Sequence, residues 1–298
     1  MKSSPHLPAF AAFGSLLSLQ VGAAFAKSVF PLVGPEGVAA LRIGLAACVL
    51  GLVFRPWQLR IERPIKPYLL LYAAMIGSMT LLIYRAFSYM PVGIAIAIEV
   101  IGPLGAALIA SRRRIDLVWI GLALAGLGLL PFGTAGSVID PRGLAFVLAA
   151  ALCWGIYVSI GAKVSALGAK GTAIGMALAS LFVIPIGVAH AGSALFHPNI
   201  LLSGLVVAAM SSALPFLLDI YALRRLPASV FGVLMSASPA VSAIAGMMVL
   251  GEHLSAVQWA GIGFITVACI GTTLVSARLS SASRAVASPS SDPLANPS

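Results

Sequence analysis

A chain of 298 residues that is 60% hydrophobic and only 9% charged, with mean hydropathy +1.06, lies far from soluble domains, which carry roughly 25% charged residues. That composition excludes a large soluble core and indicates an all-α polytopic membrane protein. The formal net charge of +10 does not indicate nucleic acid as a partner, because the basic residues sit mostly in short gaps between apolar runs, where membrane topology accounts for them.

Ten apolar runs follow one another, at about 8–28, 36–54, 67–88, 91–111, 115–132, 141–162, 171–191, 199–221, 227–250 and 255–277. Gly, Pro and charged residues separate them, as in Phe30-Pro31-Leu32-Val33-Gly34-Pro35 and Arg55-Pro56-Trp57. From about Arg278 the chain turns rich in Ser, Ala and Pro, which predicts a disordered tail over 278–298. Cys48, Cys153 and Cys269 all fall inside apolar runs without CxxC spacing, so they read as small core residues and not as a metal site or disulfide framework.

The first run has the look of a signal peptide, with Lys2, an apolar stretch and Ala24-Phe25-Ala26. An internal repeat argues against that reading. Ala26-Lys27 recurs as Ala162-Lys163, Leu81-Leu82 as Leu217-Leu218, Pro91 as Pro227 and Pro103 as Pro239, all at a spacing of 136. Trp119-x-Gly121 recurs as Trp259-x-Gly261 at 140, so four residues around Gly251-Glu252-His253-Leu254 enter the second copy. The first run is thus part of a duplicated unit. The organisation is a short N-terminus (1–7), a first repeat (8–132), a linker (133–140), a second repeat (141–277) and the tail.

Five spans per copy is an odd number, so the copies must lie in opposite orientations in the bilayer. That is the inverted-repeat plan of secondary transporters, whose sites lie near the midplane between repeats. Of the 18 Lys and Arg residues, all but Lys27, Arg42, Arg85 and Arg142 fall in the termini and alternate gaps on one side. By the positive-inside rule both termini are cytoplasmic and the 133–140 linker lies on the opposite side, which is the periplasm if the protein sits in a bacterial inner membrane, as the resemblance given below implies.

The run Pro91–Ser111 holds a single ionisable residue, Glu99. An acid at that depth costs a few kcal/mol, so it is a functional-site candidate by default. Residues 92, 95, 99, 102 and 106 share one mostly small helical face, which packs on protein and not on lipid. Counting 1.5 Å per residue, Glu99 and Gln20 lie roughly 12 Å, and Arg42 roughly 9 Å, from the same surface. A carboxylate, a guanidinium and an amide at one level suit a zwitterion with a polar side chain. A purely structural Glu99–Arg42 ion pair is the competing reading. Lys27 is expected to reach the interface, and Arg85 likewise.

Asp219, just after Pro215, is a helix-end acid beside Arg224 and Arg225 or a coupling or gating residue. Pro103 and Pro239 hold equivalent positions, and each frees the carbonyl four residues earlier, which predicts paired kinks lining a central cavity. Glu99 has Met235 as its mate and Arg42 has Leu178, so the polar chemistry belongs mainly to the first copy. His190, His197 and His253 lack ligand spacing, no cofactor motif is present, and without a phosphate loop any energy source is a gradient or an exchange partner. No nucleophile or metal constellation supports an intramembrane enzyme.

The chain resembles the EamA-type drug/metabolite transporters over nearly all of 8–277, and within them the branch that exports threonine and homoserine. The resemblance is carried by Gln20–Gly34, Ala40-Leu41-Arg42, Pro91–Pro103, Ser111-Arg112-Arg113, Cys153-Trp154-x-Ile156-Tyr157, Arg225-Leu226-Pro227 and Phe231-Gly232-x-Leu234-Met235-Ser236. It implies efflux of small neutral amino acids, with protons as the coupling ion. Glu99 would take the substrate ammonium or a proton, Arg42 the carboxylate, and Gln20 further polar groups. A drug or other metabolite is the alternative cargo, and a homodimer is left open. Arg85 and Asp219 depart from the pattern of that branch.

Overall fold

The computed structural model describes residues 6–59, 61–111, 115–132 and 140–287, and they are helical nearly throughout. The first copy comprises α1 (His6–Ser28), α2 (Phe30–Phe54), α3 (Lys66–Phe87), α4 (Val92–Glu99), α5 (Ile101–Ser111) and α6 (Asp116–Leu129). The second comprises α7 (Pro141–Ser165), α8 (Gly168–Ala191), α9 (Pro198–Ala208), α10 (Leu214–Leu223), α11 (Ala228–Met235), α12 (Ser238–Leu250) and α13 (Ala256–Ala287). A π-helical turn, Ala209–Ala213, joins α9 to α10. Counted as spans, α4 with α5, α9 with α10 and α11 with α12 each form one crossing. Among the described residues nine such runs are long and apolar enough to cross a membrane, and α6 is apolar but only 14 residues long.

Local sequence sets the ends. Pro91 and Pro227 have no N–H to continue a helix, and both are extended, with φ −57°, ψ 144° and φ −56°, ψ 138°. Asp140 starts α7 by accepting from the Arg142 N–H at 2.8 Å. Ser255 and Gln258 form a reciprocal box at the start of α13: the Gln258 side chain accepts from the Ser255 N–H and the Ser255 hydroxyl from the Gln258 N–H. In α2 the backbone leaves helical geometry at Gly34 (φ 70°), so the regular helix begins at Pro35, close to the predicted start at 36.

One boundary differs plainly. The sequence predicts the last span to end at 277 with a disordered tail after it, whereas α13 runs on to Ala287. The stretch Arg278–Ala287 contains neither Gly nor Pro, and nothing in it stops a helix; the remaining tail residues, 288–298, lie outside the described residues.

The two copies pack alike. The pairs α3–α7, α3–α8 and α5–α7 have the counterparts α10–α1, α9–α2 and α12–α1, while α2–α8 and α6–α13 close the bundle across the repeats. Between apolar helices in lipid, attraction comes from close packing, so small residues mark the contacts. A Cβ added at Gly102 would fall 1.9 Å from the Ala151 carbonyl oxygen, and one at Gly187 would fall 2.3 Å from the Ala40 Cβ. The helices touch because those positions have no side chain. The match is incomplete, and the largest departure is that α4 packs along α12 while the equivalent α5 and α11 do not pack together.

Candidate functional site

The two equivalent prolines stand beside equivalent breaks in their spans. Pro103 withholds a hydrogen bond from the Glu99 carbonyl and Pro239 from the Met235 carbonyl. The span breaks at the equivalent residues Val100 and Ser236, which share φ −63° with ψ −15° and −17°. Glu99 is therefore the last residue of α4, at a discontinuity inside the bundle. Discontinuous helices are tolerated at membrane depth where they line protein or a cavity.

Glu99 lines a cavity of about 100 Å³ together with Gln20 of α1, Arg42 of α2, Tyr84 of α3, Ile96 of α4 and Trp154 of α7. The three residues selected from sequence thus meet at one place, and Asp219 does not join them. Gln20 and Glu99 are 3% and 4% exposed, so their polarity serves the interior and not the solvent. Glu99 Oε1 is buried with no hydrogen-bond partner. Among the described residues no Glu99–Arg42 ion pair forms; the ion pairs are Lys27–Glu252 and Arg85–Glu36. A closed structural pair at Glu99 is therefore not what the fold builds.

Arg42 is held by other groups. Its Nε donates to the Ser212 hydroxyl at 3.4 Å, Nη1 to the Tyr84 hydroxyl at 3.2 Å and Nη2 to the Ser211 carbonyl at 3.1 Å. The guanidinium also lies over the Tyr84 ring, 5.5 Å from its centre. The Ser211 carbonyl is available because Pro215, four residues on, cannot donate to it, and the π-helical turn there widens the backbone. A guanidinium has N–H donors beyond those three contacts, so a ligand carboxylate remains within its chemistry.

Tyr84, Trp154, Ser211 and Ser212 were not selected from sequence as site residues. Ser211 and Ser212 were findable, since two hydroxyls stand just ahead of a proline in an apolar run. Tyr84 and Trp154 carried no such signal; only the three-dimensional packing assigns them.

The remaining candidates are placed elsewhere. Asp219 is partly buried on α10, and its Oδ1 has no hydrogen-bond partner. Pro103 lines a neighbouring cavity of about 210 Å³ between α5, α7 and α11–α13, for which Trp154 is a shared wall. Pro239 is buried. Lys27 and Arg85, expected near the interface, each meet an acid: Lys27 Nζ donates to Glu252 Oε1 at 2.7 Å, and Arg85 Nε pairs with Glu36 while its guanidinium covers the Phe146 ring. Both ion pairs are part-buried, and the Arg85 side chain keeps 39% of its surface exposed.

Residues 141–274 match the EamA-like transporter family. Over 270 residues the chain is 44% identical to the threonine/homoserine exporter RhtA of Escherichia coli strain K12, covering 90% of this chain and 92% of that one. The chain belongs to the EamA-like transporter family. RhtA of Salmonella typhimurium strain LT2 is 43% identical over the same length. A solved crystal structure shares the fold with a TM-score of 0.57 at 18% identity, covering 92% of this chain and 98% of the other. Family membership makes this a multi-pass membrane transporter and not an enzyme, with a small-molecule cargo.

Proposed function

We propose that this EamA-family transporter exports threonine, homoserine and similar small neutral amino acids across the bacterial inner membrane, in exchange for protons. The observation that carries the reading is Glu99, whose Oε1 is buried and unpartnered in a cavity it shares with Arg42 and Gln20. An ionised carboxylate without a partner is costly in such a place, so the group gains from taking either a proton or a substrate ammonium. The two cannot occupy it together, and that exclusion is what couples them. Arg42 holds the substrate carboxylate with the N–H groups its tether leaves over, and Gln20 meets the side-chain hydroxyl.

Size supports a small cargo. Pockets for drug-sized ligands begin at about 300 Å³, and the cavity of about 100 Å³ is well below that. A hydrophobic cation would also have no use for Arg42. The 44% identity to the RhtA exporters favours the same cargo. The basic gaps favour cytoplasmic termini, with the basic end of the bundle facing the cytoplasm.

The direct test is growth of a bacterial host, deleted for its own threonine exporters, in inhibitory external threonine or homoserine. Expression of this protein should restore growth to the level of a host that keeps its exporters. Protection against a cationic dye without protection against either amino acid would overturn the reading.

A further inference from the structure

The two copies differ most at the ends of the bundle. At the Lys27 end, α4 lies against α12 so tightly that a Cβ on Gly93 would fall 2.6 Å from the Ala243 Cα. At the basic end the equivalent helices α5 and α11 are separated by the cavity of about 210 Å³. In an inverted repeat these two contacts are images of each other, so a structure with one made and the other missing is closed on one face and open on the other.

The closed face carries a polar cluster. Lys27 Nζ donates to Glu252 Oε1 at 2.7 Å and to the Met90 carbonyl at 2.9 Å. Glu252 Oε2 in turn accepts from the Val92 N–H, the first free donor of α4, at 2.9 Å. These contacts tie α1, the α3–α4 turn and the segment after α12 together. Glu252 reaches them because Gly251 takes φ 66°, a left-handed turn that folds the chain back so that the Glu252 N–H donates to Gly246. Glu252 lies in the stretch, around Gly251–Leu254, where the second copy is four residues longer than the first. The repeat mate of Lys27 is Lys163, which is exposed, lies over the Tyr68 ring, and makes no ion pair among the described residues.

We propose that Lys27 and Glu252 are a one-sided latch, which the inserted segment adds to a symmetric fold, and that it holds the resting transporter closed at the Lys27 end. Transport then requires the latch to part as α4 leaves α12 and α5 closes on α11. The inference rests on the family's transport activity and not on the Glu99 site or the cargo.

The test uses the full-length protein in vesicles, with Cys48, Cys153 and Cys269 replaced by Ala. Ala107→Cys, on α5 at the basic-end cavity, reports opening through its labelling rate with a membrane-impermeant thiol reagent applied from the basic side. Glu252→Gln and Lys27→Gln should each slow that labelling, by about threefold to tenfold, because the population shifts away from the open-basic state. Separately, Val92→Cys with Gly246→Cys places two Cβ atoms about 3.8 Å apart, the usual disulfide separation; the new Cβ at 246 falls 2.4 Å from Glu252 Oε2 and displaces that carboxylate, so in this variant the disulfide takes the place of the latch. Oxidation should stop threonine export while Ala107→Cys still labels, and reduction should restore export. Labelling that is unchanged or faster in both latch variants, or an oxidised double-cysteine protein exporting at its reduced rate, overturns the latch. If the parent moves no threonine, the cargo assignment fails alone and the labelling arm still decides.

Discussion

Helices α4 and α11 occupy the same position in the two copies, start after the same proline with nearly the same backbone angles, and break at the same residue. One ends in Glu99 and the other in Met235. The break is thus a property of the repeat, shared by a helix with an acid and one without, and it does not by itself make a binding site. The acid is added to one copy only, along with Arg42, Gln20 and Tyr84, whose mates are Leu178, Ile156 and Ile220. The second copy supplies Trp154 and the Ser211–Ser212 turn that holds Arg42. In the proposed transport cycle duplication provides the moving frame, and divergence of one half provides the chemistry.

Replacing first-copy residues by their mates breaks this comparison directly. Glu99→Met should have the largest effect, lowering threonine export by about 100-fold or more while the protein still inserts, since losing one partner of a buried charge contact costs about 2–5 kcal/mol. Radiolabelled threonine efflux, normalised to the protein recovered in membranes, measures it. Arg42→Leu should cost roughly tenfold to 100-fold, from charged hydrogen bonds worth about 1.5–3 kcal/mol, and should appear mainly as weaker binding in a threonine competition assay.

Gly102→Ser tests the packing and not the chemistry. Its mate is Ser238, yet Gly102 lies against the Ala151 backbone, so the change should lower stability in detergent by about 1–3 kcal/mol. The control Gly105→Ala, with open space around it, should melt as the parent does. Gln20→Ile should be mildest, reducing export by up to about tenfold, and less for alanine than for threonine if the amide meets the hydroxyl.

Much of the fold was legible in the sequence because lipid imposes one rule. Backbone polar groups must pair within a segment, so long apolar runs are helices, and duplicated prolines mark where they break. The site was legible in part for the same reason: Glu99, Arg42 and Gln20 stand out against apolar neighbours, and a common depth suggested their meeting. Depth gives only one coordinate, however. Whether Arg42 turns to Glu99 or to the Ser211 carbonyl depends on how α2 is rotated against α9 and α10, which no run of residues encodes locally. Tyr84 and Trp154 were hidden because aromatic residues are ordinary in apolar spans. The acid partners of Lys27 and Arg85 were hidden as well, since Glu252 is 225 residues from Lys27 and Glu36 is 49 from Arg85.

The account turns on Glu99 exchanging a proton for substrate. The decisive measurement is threonine transport in proteoliposomes under an imposed pH gradient, comparing the parent with Glu99→Gln, which keeps the shape and removes the titrating group. The expected result is gradient-driven accumulation by the parent and none by Glu99→Gln at any pH. Accumulation by Glu99→Gln at the parental rate and with the parental pH response would contradict the proton-exchange role of Glu99.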